Sequence, residues 1–299
     1  MDARRVSLLA LFLGACVGAV ATFSPASVHP EDVPGAAGNV TPGARSTDKP
    51  VTARQAPRNT PRSPQRAGQA EGPARRQAAD RSGPRYGVRQ APAKQRGAIR
   101  VGTYNVLNLF DHVDDPSLRG EHDDLPAATS DDRCRALAAA IRELDADILA
   151  LEEVESLEAL TWFRDTYLKG MGYDHVASRD VGYYRGVECS LLSRFPIRDV
   201  RTWPDVSLDN LPRPGQGWAP VPQGERLRFQ RSPLMATVDV NDEYALTFFV
   251  VHHKAGGQFD HSREAEAIMI NRFINELRKT DPKRNIIVLG DFNAAPWDK

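Results

Sequence analysis

From residue 99 onward, short apolar runs alternate with stripes of helical spacing. "IRVGTYN" (residues 99–105) puts Ile99, Val101 and Thr103 on one side, a period of two that predicts a strand ending at Asn105. "TSDDRCRALAAAIREL" offers Ser130 as a cap and apolar positions at Cys134, Leu137, Ala138, Ile141 and Leu144, a helical stripe. "DILALEE" reads as a strand that is apolar until Glu152 and Glu153, and "SLEALTWFRDTYL" as a helix. "VECSLLSRF" is a further strand. "PLMATVDV" and "YALTFFVVHH" are two more, paired across the turn "NDE". "SREAEAIMINRFINEL" predicts a helix burying Ala267, Ile270, Phe273, Ile274 and Leu277, and "NIIVLG" closes the series as a strand. Between Val200 and Arg231 a Pro/Gly-rich span of about thirty residues reads as a long surface loop, a size that often carries function. Strands alternating with helices place residues 99–299 in the α/β class.

Composition changes the picture for the first third of the chain. Residues 24–98 hold 11 of the 22 prolines, 13 Lys and Arg against five Asp and Glu, and one aromatic, Tyr86. Such a stretch cannot bury enough apolar surface to offset the entropy of ordering, so it reads as a disordered Pro/Arg-rich linker. Residues 99–299 carry 24 basic and 33 acidic side chains. The formal net charge of zero thus averages a basic tether with an acidic domain. That acidic domain offers DNA no electrostatic attraction of its own, though the linker could supply it.

Residues 1–23, "MDARRVSLLALFLGACVGAVATF", have a basic start and an apolar run, the pattern of an export signal. "LGAC" ending at Cys16 fits lipidation after cleavage, "AVA" fits ordinary signal cleavage, and residues 6–23 barely suffice to span a bilayer uncleaved. Export with membrane tethering through this segment is the expectation. The other two cysteines, Cys134 and Cys189, read as separate buried thiols rather than a disulfide.

Four of the predicted strands end in polar groups: Asn105, Glu153, His252, and Asp291 with Asn293. In α/β sheets sites collect beyond the carboxyl ends of strands. Acids, amides and a histidine gathered there suit a hard cation and a phosphate, and the oxygen donors favour Mg²⁺ or Mn²⁺ over zinc. Each residue has a plainer role available. Asn105 suits a turn, Glu153 a solvated loop, Asp291 with Asn293 an Asx turn, and Arg185 a surface ion pair. The acidic loop with His112, Asp114, Asp115, His122, Asp123 and Asp124 reads as solvated, and Trp203, Trp218 and Phe229 as packing for the long loop rather than a stacking platform for bases.

"VGTYNVLNLFD", "DILALEEVES", "RGVECSLLSRFPI", "VVHHKAGG" and "VLGDFNAAPWD" resemble, in order and spacing, the endonuclease/exonuclease/phosphatase superfamily with its DNase I-like fold. The resemblance covers residues 99–299. It implies a four-layered α/β sandwich, two packed mixed β-sheets flanked by helices. It further implies that Glu153 binds the metal and that Glu152 stands where a glutamine is usual, leaving a swap between the two open. Asn105 would lie near metal and phosphate. Asp291 would orient or deprotonate the attacking water, and Asn293 would hold a phosphate oxygen. His252 would stabilise charge on the phosphate; it is preferred to His253 because Lys254 follows at the usual spacing. Arg185, with Tyr184 beside it, is the phosphate-clamp and substrate-binding candidate, since a guanidinium can pair two oxygens.

Members of that family usually carry an Asp-His pair after "GDFN", following further strands. The sequence stops at Lys299 before any such pair, so the expectation is a C-terminally truncated domain lacking the last strands, weakly stable and nearly inactive alone. The implied function is a metal-dependent phosphodiester hydrolase, an exported nuclease acting on nucleic acid or another phosphodiester. The alternatives are a non-catalytic or partner-completed phosphate-binding surface protein, and a phosphatase or phospholipase on the same fold.

Overall fold

The computed structural model describes residues 7–8, 93–94, 97–114 and 127–294. The chain divides into two units, Met1–Phe23 with Tyr86–Lys299, and Ser24–Arg85. The second unit lies outside the described residues. So do Cys16, on which the lipidation reading rests, and Asp115, His122, Asp123 and Asp124. Among the described residues no helix is long and apolar enough to cross a membrane.

Two mixed sheets form the domain. The first has the order β1-β2-β3-β5-β4: Ser7–Leu8, Arg100–Leu109, Ile148–Val154, Glu188–Ser193 and His175–Ser178. The second runs β6-β7-β8-β9: Ile197–Arg201, Leu234–Asn241, Tyr244–His252 and Ile286–Asp291. Helices α1 (Asp131–Leu144) and α2 (Leu157–Tyr167) cover the first sheet, and α3 (Asp260–Thr280) covers the second.

Strand alternation builds these layers. Ile148 and Ala150 point into the space between the sheets, against Phe248, Val250 and Leu289. Their neighbours Leu149 and Leu151 point the other way, onto Ile141 of α1 and Leu160 and Phe163 of α2. On the far side, Met235, Phe249 and Val251 meet Ala265, Met269 and Ile270 of α3. This period of two is what a strand buried on both faces requires. Phe163, Phe248 and Phe249 are fully buried, and truncating any one to alanine costs roughly 3–5 kcal/mol. Cys134 and Cys189 are free and buried, in separate clusters on opposite faces of the first sheet.

Each sheet contains one parallel pair joined by a crossover helix, β2-α1-β3 in the first and β8-α3-β9 in the second. A parallel pair necessarily brings two carboxyl ends side by side. Asn105 is therefore opposite Glu152, and His252 opposite Asp291.

The structure departs from the sequence reading in several elements. The first core strand does not end at Asn105. It runs to Leu109 through an irregularity in which Leu107 and Asn108 take positive φ of 54° and 61°. The edge strands β4 and β6 are short, and β6 carries three charged side chains among five residues, so neither has a readable apolar pattern. Ser130 precedes α1 but its side chain makes no capping bond, whereas Ser156 caps α2 by accepting from the Ala159 N–H at 3.0 Å. Helix α3 starts two residues before the predicted span and ends three after it. Ala267 is exposed, its inward place taken by Ala265 and Met269, while Phe273, Ile274 and Leu277 are only half-buried. The loop after β6 is not a plain surface loop: it buries Leu208, Leu227 and Phe229, and Trp203 stacks on Phe273 at 4.2 Å.

Gly290 sets the register of the last strand. Its φ is +135°, and a Cβ there would sit 2.0 Å from the Val251 carbonyl oxygen on the adjacent strand. Any side chain must push β9 off β8. Gly290→Ala is expected to lower Tm by about 10 °C or more, measured by thermal unfolding; an unchanged Tm would show that the two strands can separate without loss.

Candidate active site

Two pairs of strand ends converge where the sheets pack together. Asn105 of β2 donates from Nδ2 to Asp291 Oδ2 of β9 at 3.1 Å, tying one sheet to the other. Asn105 Oδ1 accepts from the Leu107 N–H at 2.9 Å, so the amide is oriented from both ends. His252 Nε2 lies 3.8 Å from Glu153 Oε1 and 3.7 Å from Asp291 Oδ2. These separations are beyond hydrogen-bond reach.

Glu153 reaches this place through a bulge. Its φ is +67°, and the ladder of β3 shifts register between Glu152 and Val154 on both sides. An extra residue at a strand end re-aims the side chain, a common device beside active sites. Without it Glu153 would follow Leu149 and Leu151 toward the helices. Glu152 instead keeps the inter-sheet direction of Ile148 and Ala150. It is 1% exposed and accepts from Thr103 Oγ1 at 2.8 Å. Burial pushes its carboxyl up to about 8, with Asp291 and Glu153 adding to the rise, so it carries a proton at neutral pH. A protonated glutamate has the shape and neutrality of glutamine, and it is Glu153, not Glu152, that lies against His252 Nε2 and Arg185.

The histidine doublet separates by strand alternation. His252 faces Glu153 and Asp291. His253 turns to α3, where its Nδ1 lies 2.8 Å from Glu266 Oε2, and its ring stacks on Phe292. Burial, then the guanidinium groups of Arg231 and Arg185 and the His253 ring, push His252 down to about 2. Its imidazole is therefore neutral. With Nε2 facing two carboxylates, the proton belongs on Nε2, and the buried Nδ1 has no hydrogen-bond partner. His252 thus presents a donor to the site.

Asp291 and Asn293 do form an Asx turn, the Asn293 N–H reaching Asp291 Oδ1 at 2.9 Å. The turn does not remove Asp291 from the site, because Oδ2 is the atom that faces Asn105 and His252. Asn293 is more committed: its Nδ2 donates to the His253 carbonyl at 2.9 Å, and its φ is +47°. Arg185 donates from Nη2 to Asn108 Oδ1 at 2.6 Å and lies 3.6 Å from Glu153 Oε2. It is at the site, held mainly by a neutral amide. Tyr184 is 56% exposed and packs edge-on against Tyr183.

Sequence reasoning missed the residues that hold this arrangement from behind. Arg231 is buried and donates to the carbonyls of His252 (3.2 Å) and His253 (2.9 Å) and to the Tyr183 hydroxyl (3.3 Å). Glu266, also buried, accepts from the Lys254 N–H at 3.0 Å and pairs with His253. Glu188 lies 2% exposed at the start of β5 and accepts from the Val181 N–H at 3.2 Å, closing the loop that carries Tyr184 and Arg185. An arginine ending a loop and glutamates inside a helix and a strand have no sequence signal that sets them apart from solvated charges.

Two little-exposed carboxylates and an amide, all oxygen donors, fit a hard divalent cation in chemistry. Among the described residues no group of three or more His, Cys, Asp or Glu is arranged to hold a metal. The fit rests on Glu153 and Asp291 with the Asn105 amide.

The family model described as the Endonuclease/Exonuclease/phosphatase family matches residues 102–299. Comparison with curated proteins gives no match. Several solved structures are similar over part of the chain. TDP2 from Caenorhabditis elegans is 15% identical with a TM-score of 0.39, over 55% of this chain and 43% of that one. ANGEL2, a 2',3'-cyclic phosphatase solved with adenosine-2',3'-vanadate, is 20% identical with a TM-score of 0.46, over 66% and 54%. The mannosyl-6-phosphatase Bt3783 of Bacteroides thetaiotaomicron VPI-5482 is 20% identical with a TM-score of 0.43, over 67% of each chain. The chain thus spans about half the length of the first two structures.

Burial pushes Glu188 up to about 9, with the nearby Asp180 carboxylate contributing. The folded protein holds this proton between the ordinary glutamate value and about 9, while the unfolded chain has released it. Its contribution is therefore full below about 4.5 and is lost as pH rises through about 9. Glu188→Gln removes this dependence. The Tm advantage of the variant over wild type is expected to grow steadily from pH 5 to pH 9; a constant difference across that range contradicts the assignment.

Proposed function

The chain belongs to the endonuclease/exonuclease/phosphatase family, and from that premise we propose that it is a phosphodiester hydrolase, a nuclease-type enzyme exported and tethered by its N-terminal segment. Enzymes of this family are in general phosphoesterases that use a divalent metal ion. The observation that carries the reading is the convergence of Asn105, Glu153, His252 and Asp291 from four strands and two sheets, with Arg185 beside them.

In this reading water attacks phosphorus in line with the ester oxygen that leaves. Asp291 Oδ2, fixed by Asn105, orients that water. His252 donates from Nε2 to a phosphoryl oxygen, matching negative charge as it develops. A neutral imidazole suits this role, because it can give a hydrogen bond without first paying for a buried cation. Arg185 closes on the same phosphate, exchanging its loose contact with Glu153 for two phosphate oxygens. Asn293 has one amide hydrogen left for a phosphate oxygen after serving His253. Glu153 and Asn105 would hold Mg²⁺ or Mn²⁺, which supplies charge neutralisation and a more acidic water when bound.

A phosphate-binding surface protein without catalysis is the second reading, favoured by the commitment of both Asp291 oxygens to Asn105 and Asn293. Turnover separates the two. With Mg²⁺ or Mn²⁺ residues 1–299 alone are expected to cleave plasmid DNA and bis(p-nitrophenyl) phosphate only weakly, and chelator should stop that cleavage. Glu153→Gln and Asp291→Asn should each lower kcat by about 10²-fold or more while binding of inorganic phosphate persists. Phosphate binding with no metal-dependent turnover would establish the second reading.

A further inference from the structure

The mouth of this site carries an unexpected crest. After Asn105, residues 106–108 leave the strand ladder, and Leu107 adopts φ of +54°, a conformation that bulky side chains rarely take. Its side chain is only half covered in return, at 51% exposed. The conformation is nevertheless enforced. Arg133, from the first turn of α1, donates to the carbonyls of Val106, Leu107 and Asn108 in succession. Thr129 Oγ1 donates to the Asn108 carbonyl as well, at 3.3 Å. A guanidinium spread over three consecutive carbonyls is a costly way to leave a leucine in water, and strain of this kind gathers at ligand clamps.

The crest is joined directly to the phosphate clamp. Asn108 Oδ1 receives Arg185 Nη2, so Leu107 and Tyr184 each sit one residue from the two partners of a single hydrogen bond. Tyr184 is likewise more than half exposed, and its ring is steadied edge-on by Tyr183, whose hydroxyl is fixed by Arg231 and Gln230. Five large apolar side chains stand exposed among the described residues, and two of them are the chain neighbours of Asn108 and Arg185, the two partners of this bond.

We propose that Leu107 and Tyr184 form an apolar lip that receives the base of a nucleotide whose phosphate lies against Arg185. This rests on the nuclease-type phosphodiesterase reading and assigns the residues that meet the base. An aliphatic and an aromatic face beside a phosphate fork suit a flat, weakly polar ring, and every base has such a face. A sugar phosphate would instead call for several carboxylate and amide partners, and of these two side chains only the Tyr184 hydroxyl is polar.

The test is calorimetric titration of the full chain, in Mg²⁺, with thymidine 3′,5′-bisphosphate and separately with inorganic phosphate. Leu107→Gly is the informative variant, because glycine is at ease at positive φ and the fold is spared; Tyr184→Ser is the second. Wild type should bind the nucleotide more tightly than inorganic phosphate. Each variant should lose about tenfold for the nucleotide and nothing for inorganic phosphate, a loss in line with single-base stacking. Equal wild-type affinity for both ligands overturns the lip and leaves the phosphodiesterase reading standing. So does a parallel loss of both in the variants. If neither ligand binds, both readings fall together. Binding to phosphatidylcholine vesicles that Leu107→Gly abolishes, without nucleotide binding, assigns the lip to a lipid surface and overturns the nucleotide assignment.

Discussion

The close approach of the Gly290 α-carbon to the Val251 carbonyl is the constraint from which the site follows. It locks β9 beside β8 in the register that sets His252 against Asp291. The first sheet repeats the arrangement with its own parallel pair, which sets Asn105 against Glu152 and leaves the bulged Glu153 one residue beyond. Each strand-helix-strand unit supplies two polar ends, and packing the sheets face to face brings the four ends to one place. The hydrogen bond from Asn105 to Asp291 is the seam between them. No loop has to be ordered to assemble these groups.

Gathering so many acids in a packed interior demands that most of them be neutralised. Glu152 and Glu188 solve this by keeping their protons. Glu266 is satisfied by His253 and the Lys254 amide, and Arg231 by backbone carbonyls and a tyrosine hydroxyl. His252 remains uncharged for the same reason of burial. Asp291 accepts from the Asn105 amide and the Asn293 N–H, both neutral donors, and Glu153 has only Arg185 at 3.6 Å and the neutral His252 at 3.8 Å near it.

Much of this was legible in the chain. The inward stripe of α1, Cys134 through Leu144, is the stripe its spacing predicts, since a helix on a sheet has one dry face. Alternation along β8 separates His252 from His253, because successive side chains must oppose. What alternation cannot show is where it breaks. The bulge at Glu153 and the crest at Leu107 and Asn108 are local departures imposed by partners distant in sequence, Arg133 among them. Ala267 was misplaced because Glu266 beside it lies inside, a place that only its tertiary partners make tolerable. Arg231 and Glu188 escaped notice because burial, not residue type, gives them their roles.

The segment between β6 and β7 solves a problem of width. Four strands at about 4.8 Å spacing make a sheet some 15–19 Å across, while one helix covers about 10–12 Å. The first sheet meets this with two helices side by side. The second has only α3, and Leu208, Leu227, Phe229 and Trp203 roof the remainder. Latches from Arg213 to Glu264 and from His261 to Glu225 fasten that roof to the helix. Its span is therefore dictated by the area beneath it. Trimming it to a tight turn would leave Met235 and Phe249 wet, turning an interior face into an adhesive one.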